Sequence, residues 1–147
     1  MNTEFIKGII VPILTPVDKN EVIDEGKMRK QVDFVIDGGV SGILAFGSNG
    51  EFYMTEEDEM MKALKIMLNH ASGRVPVYMG IGAISTKKCI RNCKSSGSSW
   101  CRRYIGPSAH VSKPTEEELY LHFKRIADAV SDTPMLLYNN PGRTGYT

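Results

Sequence analysis

The sequence predicts an α/β chain made of consecutive βα units around a parallel sheet. Short apolar runs recur about 34 residues apart, the length of one βα unit. Segments of helical period fill the intervals between them. Pro/Gly turns stand where the last run ends.

Gly8 to Thr15 reads as the first strand, Gly42 to Phe46 as the second, Pro76 to Ile81 as the third, and Pro134 to Tyr138 closes the series. Between the first two strands, Glu25 to Ile36 places Met28, Val32, Val35 and Ile36 at helical spacing. Thr55 opens a second helix, with Asp58 three residues on and Met60, Met61, Leu64, Met67 and Leu68 as its buried stripe. Thr115-Glu116-Glu117-Glu118 opens another, a hydroxyl cap followed by carboxylates that suit the positive end of a helix. Leu119, Phe123, Ile126, Ala127 and Val130 carry that helix's buried face. Right-handed crossovers put the C-terminal ends of all parallel strands on one side. Ser48, Asn49 and Tyr138 all stand at such ends.

One strand is missing from this pattern. The spacing requires it near residues 103 to 109, after a stretch, Asn92 to Tyr104, rich in serine and cysteine and without periodicity. Such a composition offers little apolar surface to offset the entropy of ordering. Residues 92 to 112 are therefore expected to be the least regular part of a single domain spanning 1–147. A flexible linker and a segment translated out of frame are the two readings.

Composition sets further limits. The chain has 147 residues, a formal net charge of +1 and 41% hydrophobic content, so neither a basic excess for nucleic acid nor a disordered composition is present. The longest apolar stretch, Gly8 to Leu14, is far below the roughly 18 residues of a membrane span. The first residues lack a basic segment followed by an apolar core, so no secretory signal is read and a cytoplasmic location is the default. Cys89, Cys93 and Cys101 are odd in number and lack the spacing of a zinc pair; with His110 the one nearby further ligand, no metal site is expected. His70, His110 and His122 read as surface residues.

The most informative segment is Tyr138-Asn139-Asn140-Pro141-Gly142-Arg143-Thr144-Gly145, which empties a buried apolar run into a tight turn. A tyrosine at a sheet rim is commonly an uneventful half-buried aromatic. Here an arginine on the turn adds a planar fork suited to a carboxylate. Upstream, Gly47-Ser48-Asn49-Gly50-Glu51-Phe52 leaves the second strand. Serine and asparagine in such a turn can simply satisfy backbone donors, and Arg143 can be a solvated turn charge.

Together the two segments resemble the dihydrodipicolinate synthase/N-acetylneuraminate lyase family, whose motifs read G-[TS]-x-G-E and Y-N-x-P-x-R-T-G. The resemblance implies a (β/α)8 barrel, here truncated after about the fifth strand, since a complete barrel needs ~200 residues or more. It implies an aldolase/lyase that condenses pyruvate with an aldehyde, L-aspartate 4-semialdehyde first, through a lysine Schiff base and without a cofactor. Tyr138 and Ser48 would be the catalytic proton relay. Asn49, with backbone N–H groups made accessible by Gly47 and Gly50, would hold the pyruvate carboxylate, and Arg143 the second substrate's carboxylate. Full-length members imply a homo-oligomer that binds small molecules, with neither nucleic acid nor membrane as partner.

This chain also departs from the family pattern. Asn49 stands where synthases commonly carry threonine, and with Phe52 it leaves a 2-keto-3-deoxy sugar acid or N-acetylneuraminate lyase open. The relay's second tyrosine would fall near Val111, where there is no aromatic. The Schiff-base lysine belongs on a sixth strand beyond Thr147, so a catalytically inactive fragment is the remaining alternative. Read one nucleotide downstream, the codons of Trp100 to Ile105 force a glycine and then permit Ala-Asp-Ala-Ile-Ser, similar to the family's entry into the fourth strand.

Overall fold

The computed structural model describes residues 3–83, 85–96, 101–105, 114–130 and 133–145, with the backbone alone for 101–105 and for Arg143 and Thr144. Five strands form one parallel sheet: β1 (Ile10–Pro12), β2 (Gly42–Ala45), β3 (Val77–Gly80), β4 (Cys101–Ile105) and β5 (Met135–Leu137). Their order in space is their order in sequence, β1-β2-β3-β4-β5, with Ile43 opposite Val77 and Tyr104 opposite Leu136. No reversal of winding occurs, so right-handed crossovers place every helix on the same face of the sheet. That is how a barrel is wound; a doubly wound sheet covers both faces.

The helices are α1 (Glu25–Asp37), α2 (Glu57–Ala71), α3 (Thr86–Ser95), α4 (Glu116–Ala129) and a single turn, α5 (Pro141–Thr144). Local chemistry explains their starts. Asp24 caps α1 by accepting from the Lys27 amide at 2.9 Å. Ser85 caps α3 through the Lys88 amide, and Thr115 and Glu118 form a reciprocal capping box at α4. α2 begins later than the expected Thr55: its N-cap is Glu56, without a side-chain bond, and three carboxylates of the first turn face the helix dipole instead.

Burial follows position in the sheet. All four residues of β2 and of β3 are buried, whereas β1 and β5, the sheet edges, are only partly covered. Met28 and Val32 of α1, Met60, Leu64 and Met67 of α2, and Ile126 of α4 pack onto Ile43, Ala45, Val77 and Met79 as one core. α1 packs on α2 and α3 on α4. A two-pronged ion pair from Arg91 to Glu57, at 2.7 to 3.0 Å, joins α3 to α2.

Regular backbone reaches into the stretch expected to be irregular. α3 continues through Ser95, and Cys101–Ile105 forms β4 between β3 and β5. The missing strand is thus present, and it starts ahead of the expected 103 to 109. The neighbouring strands offer backbone donors and acceptors on both sides, and their pairing overrides a weak local propensity. Residues 97–100 and 106–113, including Val111 and His110, lie outside the described residues.

Two histidines differ from their expected surface placement. His70 is half-buried: its Nε2–H donates to Asp33 Oδ2 at 2.8 Å, while its Nδ1 accepts from Arg29 at 3.2 Å. Because a guanidinium can only donate, that pair of partners assigns the proton of the Asp33 bond to Nε2. Arg74 completes the cluster with a 2.8 Å bond to Asp33 Oδ1, tying the end of α2 to α1. His122 is also half-buried, with Nδ1 at 2.8 Å from the Thr86 hydroxyl, which couples α4 to α3.

Candidate active site

The C-terminal edge of β2 turns sharply. Phe46 is fully buried yet has φ 55°, a left-handed value that is unusual for a bulky side chain. Gly47 follows in extended backbone, and Ser48-Asn49-Gly50 makes one 3-10 turn, closed by a 3.0 Å bond from the Gly50 amide to the Gly47 carbonyl. Glu51, again left-handed at φ 51°, ends it. Two strained non-glycine residues therefore bracket the turn. Strain of this kind persists only where surrounding contacts over-determine it, and it clusters at functional sites.

Those contacts can be named. A Cβ on Gly80, at the end of β3, would collide with the Phe46 carbonyl oxygen and lie 2.6 Å from its carbonyl carbon. Glycine at position 80 is thus what lets Phe46 turn. On the other side, the Thr15 hydroxyl, in the segment leaving β1, donates to the Gly50 carbonyl at 2.7 Å. A Cβ on Gly50 would approach the Ile13 carbonyl to 3.1 Å, so its lack of a side chain lets the turn close onto the β1 exit. Motif reading missed Phe46, Gly80 and Thr15. A strand-terminal glycine at Gly80 was the available signal, although glycine at a strand end has many causes.

Ser48 and Asn49 are exposed on this turn, and Gly47 and Gly50 are buried beneath them. Tyr138 immediately follows β5 and is 45% exposed, open to solvent on the same edge of the sheet. Arg143 lies in α5, whose helix Pro141 initiates at its first position and Gly145 ends at φ 73°. The parallel sheet thus brings the exits of β2 and β5 to one side, with β3 and β4 between them. Along a flat sheet the separation of β2 and β5 would be about 14 Å at ~4.8 Å per strand. Curvature of the sheet towards a barrel shortens the path between their exits.

Chemically, this edge combines a hydroxyl, a carboxamide, a phenol and a tight backbone turn. Such a set can bind a small carboxylate and move protons along oxygen atoms. Among the described residues, no group of three or more His, Cys, Asp or Glu side chains could hold a metal ion. The buried thiol of Cys89 is pushed up from its ordinary value by desolvation, the wrong direction for a nucleophile. A groove of about 990 Å³, lined by Met61, Leu64, Leu68, Val75 and Ser96, also reaches Val77, the first residue of β3. It therefore opens at the opposite end of the sheet from the Ser48 turn.

Comparison with known proteins agrees with this architecture. The family model described as the dihydrodipicolinate synthetase family matches residues 5–147. A 4-hydroxy-tetrahydrodipicolinate synthase of Trichlorobacter lovleyi is 42% identical over 139 residues, covering 95% of this chain and 47% of that protein. The enzyme of the same name from Pseudomonas putida is 39% identical over 142 residues, with the same coverage. Among solved structures, the chloride-inhibited dihydrodipicolinate synthase of Acinetobacter baumannii complexed with pyruvate superposes with a TM-score of 0.86 at 36% identity, over 95% of this chain and 48% of that one. The lysine-bound enzyme of Cyanidioschyzon merolae gives 0.89 at 27% identity, over 98% and 49%. These relatives are (β/α)8 barrels, and the five strands here are part of that fold. The chain spans about half the length of the curated relatives it matches. It belongs to the dihydrodipicolinate synthetase family.

Proposed function

We propose that this chain is the amino-terminal portion of a pyruvate-dependent aldolase of the synthase type, condensing pyruvate with L-aspartate 4-semialdehyde in the cytoplasm. The observation that carries this reading is the shared edge: the Ser48-Asn49-Gly50 turn, bracketed by left-handed Phe46 and Glu51, and Tyr138 leave one parallel sheet on one side. In (β/α)8 enzymes that edge is where chemistry is done.

The roles follow from the chemistry of each group. Asn49 and the backbone of the Gly47 to Gly50 turn hold the pyruvate carboxylate. Ser48 and Tyr138 relay protons during formation of the Schiff base and of the new carbon–carbon bond; a phenol of pKa near 10 does this only inside a hydrogen-bonded chain. Arg143 takes the carboxylate of the aldehyde partner. The amine that forms the Schiff base comes from a sixth strand outside these 147 residues, and complete family members act as homo-oligomers. Asn49 in place of threonine favours a second reading, cleavage of a 2-keto-3-deoxy sugar acid or of N-acetylneuraminate, which a panel of aldehydes distinguishes.

The test is covalent trapping. The 147-residue chain, alone and mixed with a polypeptide carrying the complementary half of a relative, is incubated with pyruvate, reduced with borohydride and weighed. We expect no adduct and no turnover from the chain alone, and in the mixture an adduct on the added polypeptide. A pyruvate adduct on the 147-residue chain itself would show that one of its own lysines forms the Schiff base and would overturn this assignment.

A further inference from the structure

The inward face of α3 is unlike that of its neighbours. The fully buried residues of α1 and α2 are apolar, Met28 and Val32 in one and Met60, Ala63, Leu64, Met67 and Ala71 in the other, although the Gln31 side-chain oxygen of α1 is also enclosed without a hydrogen-bond partner among the described residues. α3 buries Cys89, Asn92 and Cys93, with Ser96 directly after it, at the spacing of a helical stripe. Asn92 is 2% exposed, and its side-chain oxygen has no hydrogen-bond partner among the described residues. The Ser96 hydroxyl turns back and donates to the Cys93 carbonyl at 2.8 Å. Beyond it, β4 is an interior strand of a parallel sheet, a place that calls for a continuous apolar run, yet it reads Cys-Arg-Arg-Tyr-Ile.

We propose that the codons from Asn92 to about residue 112 lie one nucleotide out of register with the frame that fits this fold. The genetic code fixes several of the shifted residues, or narrows them to two, whatever codons were used. With Y for pyrimidine and R for purine, Asn92 (AAY) before Cys93 (TGY) reads AYT one nucleotide on, which is threonine or isoleucine. Cys93 before Lys94 (AAR) reads GYA, alanine or valine. Trp100 before Cys101 reads GGT, glycine, and Cys101 before an arginine codon reads alanine or valine. Arg102 and Arg103 each become a codon beginning with G, so neither can remain basic. Tyr104 before Ile105 reads AYA, threonine or isoleucine. The shift therefore removes the orphaned buried amide, makes the α3 stripe apolar at Cys93, supplies a glycine ahead of β4, and replaces both arginines and the tyrosine of β4. One shift thus acts on the helix stripe and on the neighbouring strand together, where removal of both basic side chains is forced. The frame is restored before Pro114, because the Thr115 and Glu118 capping box behind it is intact.

The nucleotide sequence of the source DNA across codons 88 to 116 tests this. Two codons that the protein sequence leaves free decide it. Ile105 as ATT or ATC reads leucine or serine in the shifted frame, whereas ATA reads TAG, a stop. Ser96 reads alanine or valine from AGY and leucine from TCT, but proline, glutamine or arginine from the other serine codons. We expect an open shifted frame with an apolar residue at position 96, bounded by a gained or lost nucleotide on each side. A stop at position 105, or proline or a polar residue at position 96, overturns the proposal.

Discussion

The Thr15 hydroxyl donates to the Gly50 carbonyl at 2.7 Å, across 35 residues of sequence, and so joins the exit of β1 to the turn that presents Ser48 and Asn49. The bond is partly buried, and it anchors a turn whose flanking residues, Phe46 and Glu51, are both left-handed. Thr15→Val keeps the shape and removes the donor. An expected loss of about 1 kcal/mol in folding stability follows from leaving the carbonyl unpaired, read as a lower denaturant midpoint. On the proposed function, pyruvate affinity in the complemented enzyme falls with it.

Gly80→Ala probes the other support of the same turn. The added methyl group would meet backbone, the Phe46 carbonyl, and backbone cannot swing away as a side-chain tip does. The expected cost is about 3 kcal/mol or more, at the severe end for a single substitution. Circular dichroism melting gives the measure; a variant as stable as the parent would mean that Phe46 does not hold its left-handed conformation.

The α1–α2 junction should respond to acid. The Arg74 guanidinium, followed by the His70 ring, holds the Asp33 carboxyl below its ordinary value. Because the folded value lies below the unfolded one, this carboxylate's stabilising effect is fully present above about pH 4 and is lost as the pH falls through the folded value. Asp33→Asn should therefore lower the denaturant midpoint at neutral pH, with the gap to the parent closing below about pH 4. A gap that is constant with pH would exclude the charge as its cause.

If Ser48 and Tyr138 form the relay, Ser48→Ala and Tyr138→Phe in the complemented enzyme should each slow turnover by roughly 10²-fold or more, the scale of lost proton transfer. Thermal stability should change little, since both residues are exposed. Steady-state rates with pyruvate and the aldehyde provide the comparison, and rates within about threefold of the parent would exclude the relay.

Much of this fold was legible in residue patterns, because each βα unit carries its own periodicity and punctuation. Met28 and Val32, or Met60, Leu64 and Met67, announce a helix and its buried face without reference to any distant residue, and Thr115 with Glu118 announces a helix start. The Ser48 and Tyr138 segments were legible as strand exits for the same reason. What only the tertiary structure decided is non-local. β4 exists as a strand because β3 and β5 flank it, although its own residues argue against one. Phe46 can turn left-handed because Gly80, 34 positions away, leaves room for its carbonyl. His70 takes a fixed tautomer because Asp33 and Arg29 of another helix meet its ring. Periodicity encodes which face of an element is buried; which atoms meet there depends on packing between elements, and packing has no signature in the order of residues along one element.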